Sequence, residues 1–203
     1  MTPMISRRPL LLGGAALVLA GCTGRARGAA DGDMALGAPE GAKVTVVEYA
    51  SVTCHVCASW QEEVWPGFKA KYVDTNKVRY VFREFPTPPV DVATAGFLLA
   101  RCAGEDRYFD VVHQMLASVK SWDTGVRPRQ TLLQIASGVG INPQQLQQCI
   151  TDEDAIKALE ARITAANARG VTGTPSFFVN DVAVTDRSLD GLSAMIDAAL
   201  AKA

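Results

Sequence analysis

Residues 43–85 read KVTVVEYASVTCHVCASWQEEVWPGFKAKYVDTNKVRYVFREF. The first eight are mostly β-branched or aromatic, with the single acidic intrusion Glu48, which suits a buried strand. After the cysteines, Trp60, Val64, Phe68 and Tyr72 recur every four residues. That spacing predicts a helix with one apolar face, kinked at Pro66 because an interior proline removes a backbone hydrogen bond. Residues 77–85 alternate and stop at the proline-rich PTPPVD, a second strand followed by a break. The unit is β-α-β, with Cys54 and Cys57 at the strand-to-helix turn. Alone, the pair allows three readings: a redox couple, half of a metal site, or a buried packing feature.

Working outward, residues 91–169 carry helical periodicity in five consecutive segments with no strand between them. Asn142-Pro143 and Asp152 are good helix starts, and Gly170 is a good stop. Beyond them, PSFFVNDVAVTD (residues 175–186) reads as two short strands joined near Asn180-Asp181, and residues 188–203 as a final helix. The order β-α-β, helices, β-β-α is α/β in class. It matches a thioredoxin fold interrupted by an all-helical insertion, with residues 37–89 and 171–203 forming the thioredoxin-like domain and 90–170 the insertion.

The chain has 203 residues, 48% hydrophobic, with 20 basic and 21 acidic side chains and a net charge of −1. It is long enough for one domain with a real core. With no Lys/Arg run in its body, it is not built for nucleic acid. Residues 1–21 place Arg7 and Arg8 before an apolar run at 10–20, the layout of an export signal, and the run is about half of the ~20 residues needed to span a bilayer. Leu19-Ala20-Gly21-Cys22 resembles a bacterial lipobox, which implies lipidation of Cys22. Ser6-Arg7-Arg8-Pro9-Leu10-Leu11 is similar to a twin-arginine motif, with Leu where an aromatic is usual. Residues 22–36 are Gly/Ala-rich and aperiodic, so they are expected to form a flexible tether reaching on the order of 20 Å. An exported chain meets an oxidising compartment, where Cys54 with Cys57 and Cys102 with Cys149 form an even set.

A cysteine at a helix N-terminus faces unpaired backbone N–H groups and the positive end of the helix dipole, and both stabilise thiolate. Cys54 would occupy that end and Cys57 would lie one turn in, so Cys54 is the exposed, reacting sulfur. A favoured thiolate makes Cys54 a good leaving group and the disulfide an oxidant. His55 would add to this if cationic and turned to the sulfur. Glu48, a carboxylate in an apolar strand, is costly to bury unless partnered or protonated, and it would lie under the helix start, in range of proton exchange with Cys57. Pro175 heads a predicted strand, where a cis Thr174-Pro175 bond is the sharper reading.

With VEYASVTCHVCASWQEEVWPGFKAKYVDTNKVRYVFREFP and GVTGTPSFFVN, residues 37–203 resemble the DsbA-like thiol:disulfide oxidoreductases, bacterial proteins with a thioredoxin fold and an inserted helical domain. The resemblance implies Cys54 as nucleophile, Cys57 as resolving cysteine, Glu48 as buried acid and Thr174-Pro175 as a substrate-binding cis-proline loop. It also implies the periplasm as location, reduced exported proteins as substrates, a membrane quinone-linked thiol oxidase as reoxidising partner, and no cofactor. The chain departs in carrying His55 then Val56 where Pro then His is usual. Thr174 occurs before the cis proline in isomerases and reductases as well, so a reductase or isomerase of the same fold stays open.

A rival from another class is a copper or zinc module using Cys54, Cys57 and His55. A closed zinc site wants four ligands, and no second CxxC exists. Cys102 and Cys149, both on predicted helices, are either a second disulfide or two buried thiols. His113 beside Val111, Val112 and Met115 is read as structural, as are Trp60, Trp65, Phe68, Phe82 and Phe85. No dimerisation segment is evident before residue 37, and a monomer is expected.

Overall fold

All six residues of β2 (Thr45–Ala50) are buried, which requires the strand to be central with both faces covered. The computed structural model, which describes residues 32–202, places it so. β2 lies between β3 (Arg79–Glu84), to which it is parallel, and β4 (Ser176–Val179), to which it is antiparallel. β1 (Met34–Gly37) and β5 (Val182–Ala183) complete the sheet, in the order β1-β3-β2-β4-β5. Alternation along the strands divides the core. Val46, Ala50, Tyr80, Phe82, Phe177 and Val179 pack on one face with Trp60, Phe68, Phe97, Leu192 and Ile196. Val47, Tyr49 and Val81 pack on the other with Ala166 and Val171.

The helices are α1 (His55–Glu63), α2 (Trp65–Phe68), α3 (Val90–Cys102), α4 (Glu105–Trp122), α5 (Pro128–Gly138), α6 (Pro143–Ile150), α7 (Glu153–Ala168) and α8 (Leu189–Ala201), with a π-helical turn at Lys69–Val73 after α2. The expected single helix over residues 58–73 is therefore in pieces. The break falls at Val64, so that Pro66 stands in the first turn of α2, where its missing N–H leaves no bond unmade. Asn142 starts α6 with a reciprocal cap: its side chain accepts from the Gln145 N–H at 2.9 Å while the Gln145 side chain accepts from the Asn142 N–H at 2.9 Å. Asp152 caps α7 through the Ala155 N–H at 2.8 Å. Among the described residues no helix is long and apolar enough to cross a membrane. The architecture is a thioredoxin fold with helices inserted between β3 and β4.

Two placements differ from the sequence reading. Residues 34–36, expected in the tether, belong to β1, which pairs antiparallel with β3 from Met34↔Phe82 to Gly37↔Arg79. What fixes β1 is remote: the Asp33 carboxylate takes Arg83 Nε and Nη2 at 2.9 and 2.8 Å, and Arg101 donates to the Gly32 carbonyl at 2.6 Å. The rest of the expected tether up to residue 31, the export signal and Cys22 lie outside the described residues. The second difference is α7, expected in the insertion. Its Ala166 packs on the sheet face opposite α1, and its Arg162 reaches the β3 carboxylate Glu84 at 2.9 Å, so it works as a covering helix of the sheet. The inserted layer is α3 to α6.

Glu84 is fully buried between Arg101 (2.6 Å) and Arg162 (2.9 Å) and also accepts from Tyr108 at 3.1 Å. The buried carboxylate therefore has partners on both oxygens, as a buried ion must. Cys102, at the end of α3, is disulfide-bonded to Cys149 of α6, with Cα atoms 5.8 Å apart.

Candidate active site

The site grows from the point where β2 ends and α1 begins. Cys54 is the N-cap residue of α1: its backbone is extended, and its sulfur accepts the Cys57 N–H at 3.2 Å. The cap thus satisfies one of the N–H groups that a helix start leaves unpaired. One turn in, Cys57 is 0% exposed, while Cys54 is partly open to solvent. Below the turn, Ser51 and Thr53 share a hydroxyl bond of 2.9 Å; Thr53 donates to the Thr87 carbonyl at 2.8 Å, and the Thr87 N–H donates to Ser51 at 3.1 Å. This brace ties the cysteine turn to the segment carrying the cis Pro88-Pro89 bond.

Across from Cys54 stands the loop of the cis Thr174-Pro175 bond. The Cys54 thiol donates to the Thr174 carbonyl at 3.5 Å. Arg187 donates to the Pro175 carbonyl at 3.0 Å, and its own carbonyl accepts from the Trp60 indole of α1 at 2.9 Å, which locks the loop to the helix that carries the cysteines.

The two sulfurs differ sharply in acidity. The Cys57 side chain donates to Cys54, and with help from the Thr174 side chain and the backbone N–H groups of Cys57 and Val56 it brings the Cys54 thiol down to about 6, against the opposing effect of partial burial. Burial pushes the Cys57 thiol far up, and its bond to Cys54 and the nearby Glu48 charge push the same way. Glu48 is 2% exposed, and burial raises its carboxyl from 4.5 to about 8. The hydrogen bond from Tyr80 Oη to Glu48 Oε2 pulls it back, and the Cys54 charge adds to the rise.

Of the residues singled out in the sequence, the structure brings Glu48, Cys54, Cys57, Thr174 and Pro175 together. His55 turns elsewhere: its Nε2 meets the Asp123 carboxylate at the end of α4 at 3.1 and 3.3 Å, and both side chains are exposed. His113 lies between the rings of Trp65 and Phe109. Among the described residues no group of three His, Cys, Asp or Glu side chains is placed to hold a metal ion. Sequence reading missed Tyr80, Asp123 and the Ser51–Thr53–Thr87 brace. Tyr80 had a signal, its place two residues from Phe82 on the inward face of β3, but its partner follows only from the β2–β3 register. A partly exposed acidic thiol beside a buried basic one, with a carboxyl below, is equipped for thiol–disulfide exchange with proton transfer to the buried sulfur.

The family model described as Thioredoxin matches residues 29–198. The chain superposes on the crystal structure of Wolbachia pipientis alpha-DsbA1 with a TM-score of 0.76 and 30% identity, covering 86% of this chain and 94% of that one. The chain belongs to the thioredoxin family, in its DsbA-like branch. The DsbA-like chain is also 38% identical over 172 residues to a Rickettsia conorii protein that carries the name of a protein-disulfide oxidoreductase, covering 84% of this chain and 61% of that protein. It thus spans about three fifths of the length of the curated relatives it matches. A protein-disulfide isomerase of Novosphingobium aromaticivorans is 25% identical, with a TM-score of 0.69 over 85% of this chain and 99% of the other.

Proposed function

We propose that the protein is an exported thiol:disulfide oxidoreductase that works as an oxidase, introducing disulfides into protein substrates through Cys54 and Cys57. The observation that carries this reading is the asymmetry of the pair: a solvent-reachable thiol lowered to about 6 beside a buried thiol driven far up. A substrate thiolate attacks Cys54 of the oxidised pair. The Cys54–Cys57 bond breaks, the mixed disulfide forms, and the electron pair passes to the Cys57 sulfur, which takes a proton from the Glu48 carboxyl. A second substrate thiolate then attacks the substrate sulfur of the mixed disulfide, and Cys54 leaves as a thiolate. The substrate has lost two electrons and the pair has gained them. Thr174 and Pro175 line the substrate side, supported by the contact of the Thr174 carbonyl with Cys54.

A lowered Cys54 thiol is a better leaving group and makes a more oxidising disulfide; among thioredoxin-fold pairs, a nucleophile near 7 goes with about −270 mV and one near 3.5 with about −120 mV. Structural disulfides of secreted proteins lie below about −300 mV, so transfer from a pair anywhere in that range to such a substrate runs downhill. Reoxidation falls to a membrane quinone-linked thiol oxidase. Periplasmic location and a lipid anchor at Cys22 complete the reading. Trapping thiols in intact cells tests it: Cys54 and Cys57 are expected to be mainly oxidised at steady state, and a mainly reduced pair would sink the oxidase direction in favour of a reductase or isomerase.

A further inference from the structure

We propose that Tyr80 is the positioning residue of the buried acid: its hydroxyl fixes Glu48 so that one carboxyl oxygen remains for proton exchange with the Cys57 sulfur. This rests on the redox reading of Cys54 and Cys57 given above, and adds a residue that the reading does not require.

The geometry follows from the sheet. In the parallel β2–β3 pair, Val46 stands opposite Tyr80 and Glu48 opposite Phe82, so Tyr80 and Glu48 point to the same face one step apart along the sheet. The Tyr80 ring is 1% exposed and held by Trp65, Phe68 and Phe109 at centroid distances of 4.7, 5.8 and 6.2 Å. It has little room to swing away. Its hydroxyl donates to Glu48 Oε2. Burial and the adjoining carboxyl hold the phenol well above its ordinary value, so Tyr80 stays a donor and is not itself the proton carrier.

Two consequences follow. With Oε2 engaged as an acceptor, the proton of the neutral acid sits on Oε1, the oxygen free to trade it. And because a donor stabilises carboxylate over carboxylic acid, Tyr80 offsets part of the burial effect and keeps Glu48 able to release its proton near neutrality. When substrate attacks Cys54 and the disulfide opens, the Oε1 proton passes to the Cys57 sulfur and the new carboxylate keeps the Tyr80 bond. Solvent returns a proton to Glu48. In the reverse direction the Cys57 thiol gives its proton to that carboxylate and attacks the mixed disulfide.

The test is Tyr80→Phe, which removes only the hydroxyl, made in the wild-type and Glu48→Gln backgrounds. Infrared absorption of the protonated carboxyl, assigned by its loss in Glu48→Gln, is followed against pH in the reduced protein. Exchange of the oxidised protein with dithiothreitol is followed in parallel, corrected for reagent thiolate. In Tyr80→Phe the carboxyl band is expected to persist about one to two pH units further up, and the exchange profile to shift with it. In the Glu48→Gln background, Tyr80→Phe is expected to change exchange less than about twofold. Fluorotyrosine at position 80, a more acidic donor of nearly the same shape, is expected to move the band the other way and keeps the test decisive if the phenylalanine variant folds poorly. An unshifted carboxyl band, or an equal loss of exchange with and without Glu48, would overturn the proposal. If the wild-type protein exchanges no thiols, the redox reading falls on its own, and the infrared titration still decides whether Tyr80 controls Glu48.

Discussion

Replacing Glu48 by glutamine removes a carboxyl that the fold buries with no ion pair among the described residues, and the consequence is a stability that depends on pH in a definite way. The native carboxyl titrates near 8 against an ordinary 4.5. Between these values the native protein holds a proton at Glu48 that the unfolded chain has released, so wild-type stability falls as pH rises through this window. Below pH 4.5 the group is neutral in both states and costs nothing. At about 1.4 kcal/mol per pH unit, the loss reaches about 3 kcal/mol at pH 7 and levels off near 5 kcal/mol above pH 8. Glutamine does not titrate. Its buried amide N–H groups lack an assured partner, which subtracts a constant of about 1–3 kcal/mol from any gain. The test is therefore the slope: in urea unfolding of the reduced proteins, the stability of Glu48→Gln relative to wild type is expected to grow by about 3–4 kcal/mol from pH 5 to pH 8. A difference constant within about 1 kcal/mol over that range would refute the assignment of Glu48 as a buried, largely neutral acid.

Cys57→Ala removes the strongest donor to the Cys54 sulfur, so ultraviolet thiolate absorbance is expected to titrate well above the wild-type value of about 6, with correspondingly less thiolate at neutral pH. Replacing Cys102 and Cys149 together by alanine opens a loop with a sequence separation of 47 residues, and thermal or urea unfolding is expected to show a loss of about 2–4 kcal/mol while the Cys54 titration stays in place. Glu84→Gln leaves the partly buried Arg101 and Arg162 without their shared counter-charge, and the same assays are expected to show a loss of up to about 3 kcal/mol.

The strand–turn–helix at residues 43–63 was legible because every signal is local: a β-branched run, a cysteine able to cap a helix, and apolar residues every four positions. The caps Asn142 and Asp152 were legible for the same reason, since each bonds within three residues. β1 was not, because its three-residue apolar run carries no period of its own, and Arg83 and the β3 backbone hold it from about fifty residues away. The side of the sheet that α7 covers was equally hidden: periodicity reveals an apolar face but not the surface it meets. In the site, the roles of Cys54 and Cys57 follow from the order of cap and first turn. The partner of His55 does not, because Asp123 lies 68 residues on, at the far end of another helix. Tyr80 shows the intermediate case, visible as an inward strand residue and informative only once the parallel register sets it beside Glu48.

The central claim is that the fold stabilises the Cys54 thiolate enough to make the Cys54–Cys57 disulfide an oxidant of protein thiols. Equilibration of the pair with glutathione redox buffers at pH 7, read by the change in Trp fluorescence or by thiol trapping, measures it directly. A potential less negative than about −270 mV, that of a reducing thioredoxin, is expected; a value at or below it would contradict the oxidase direction.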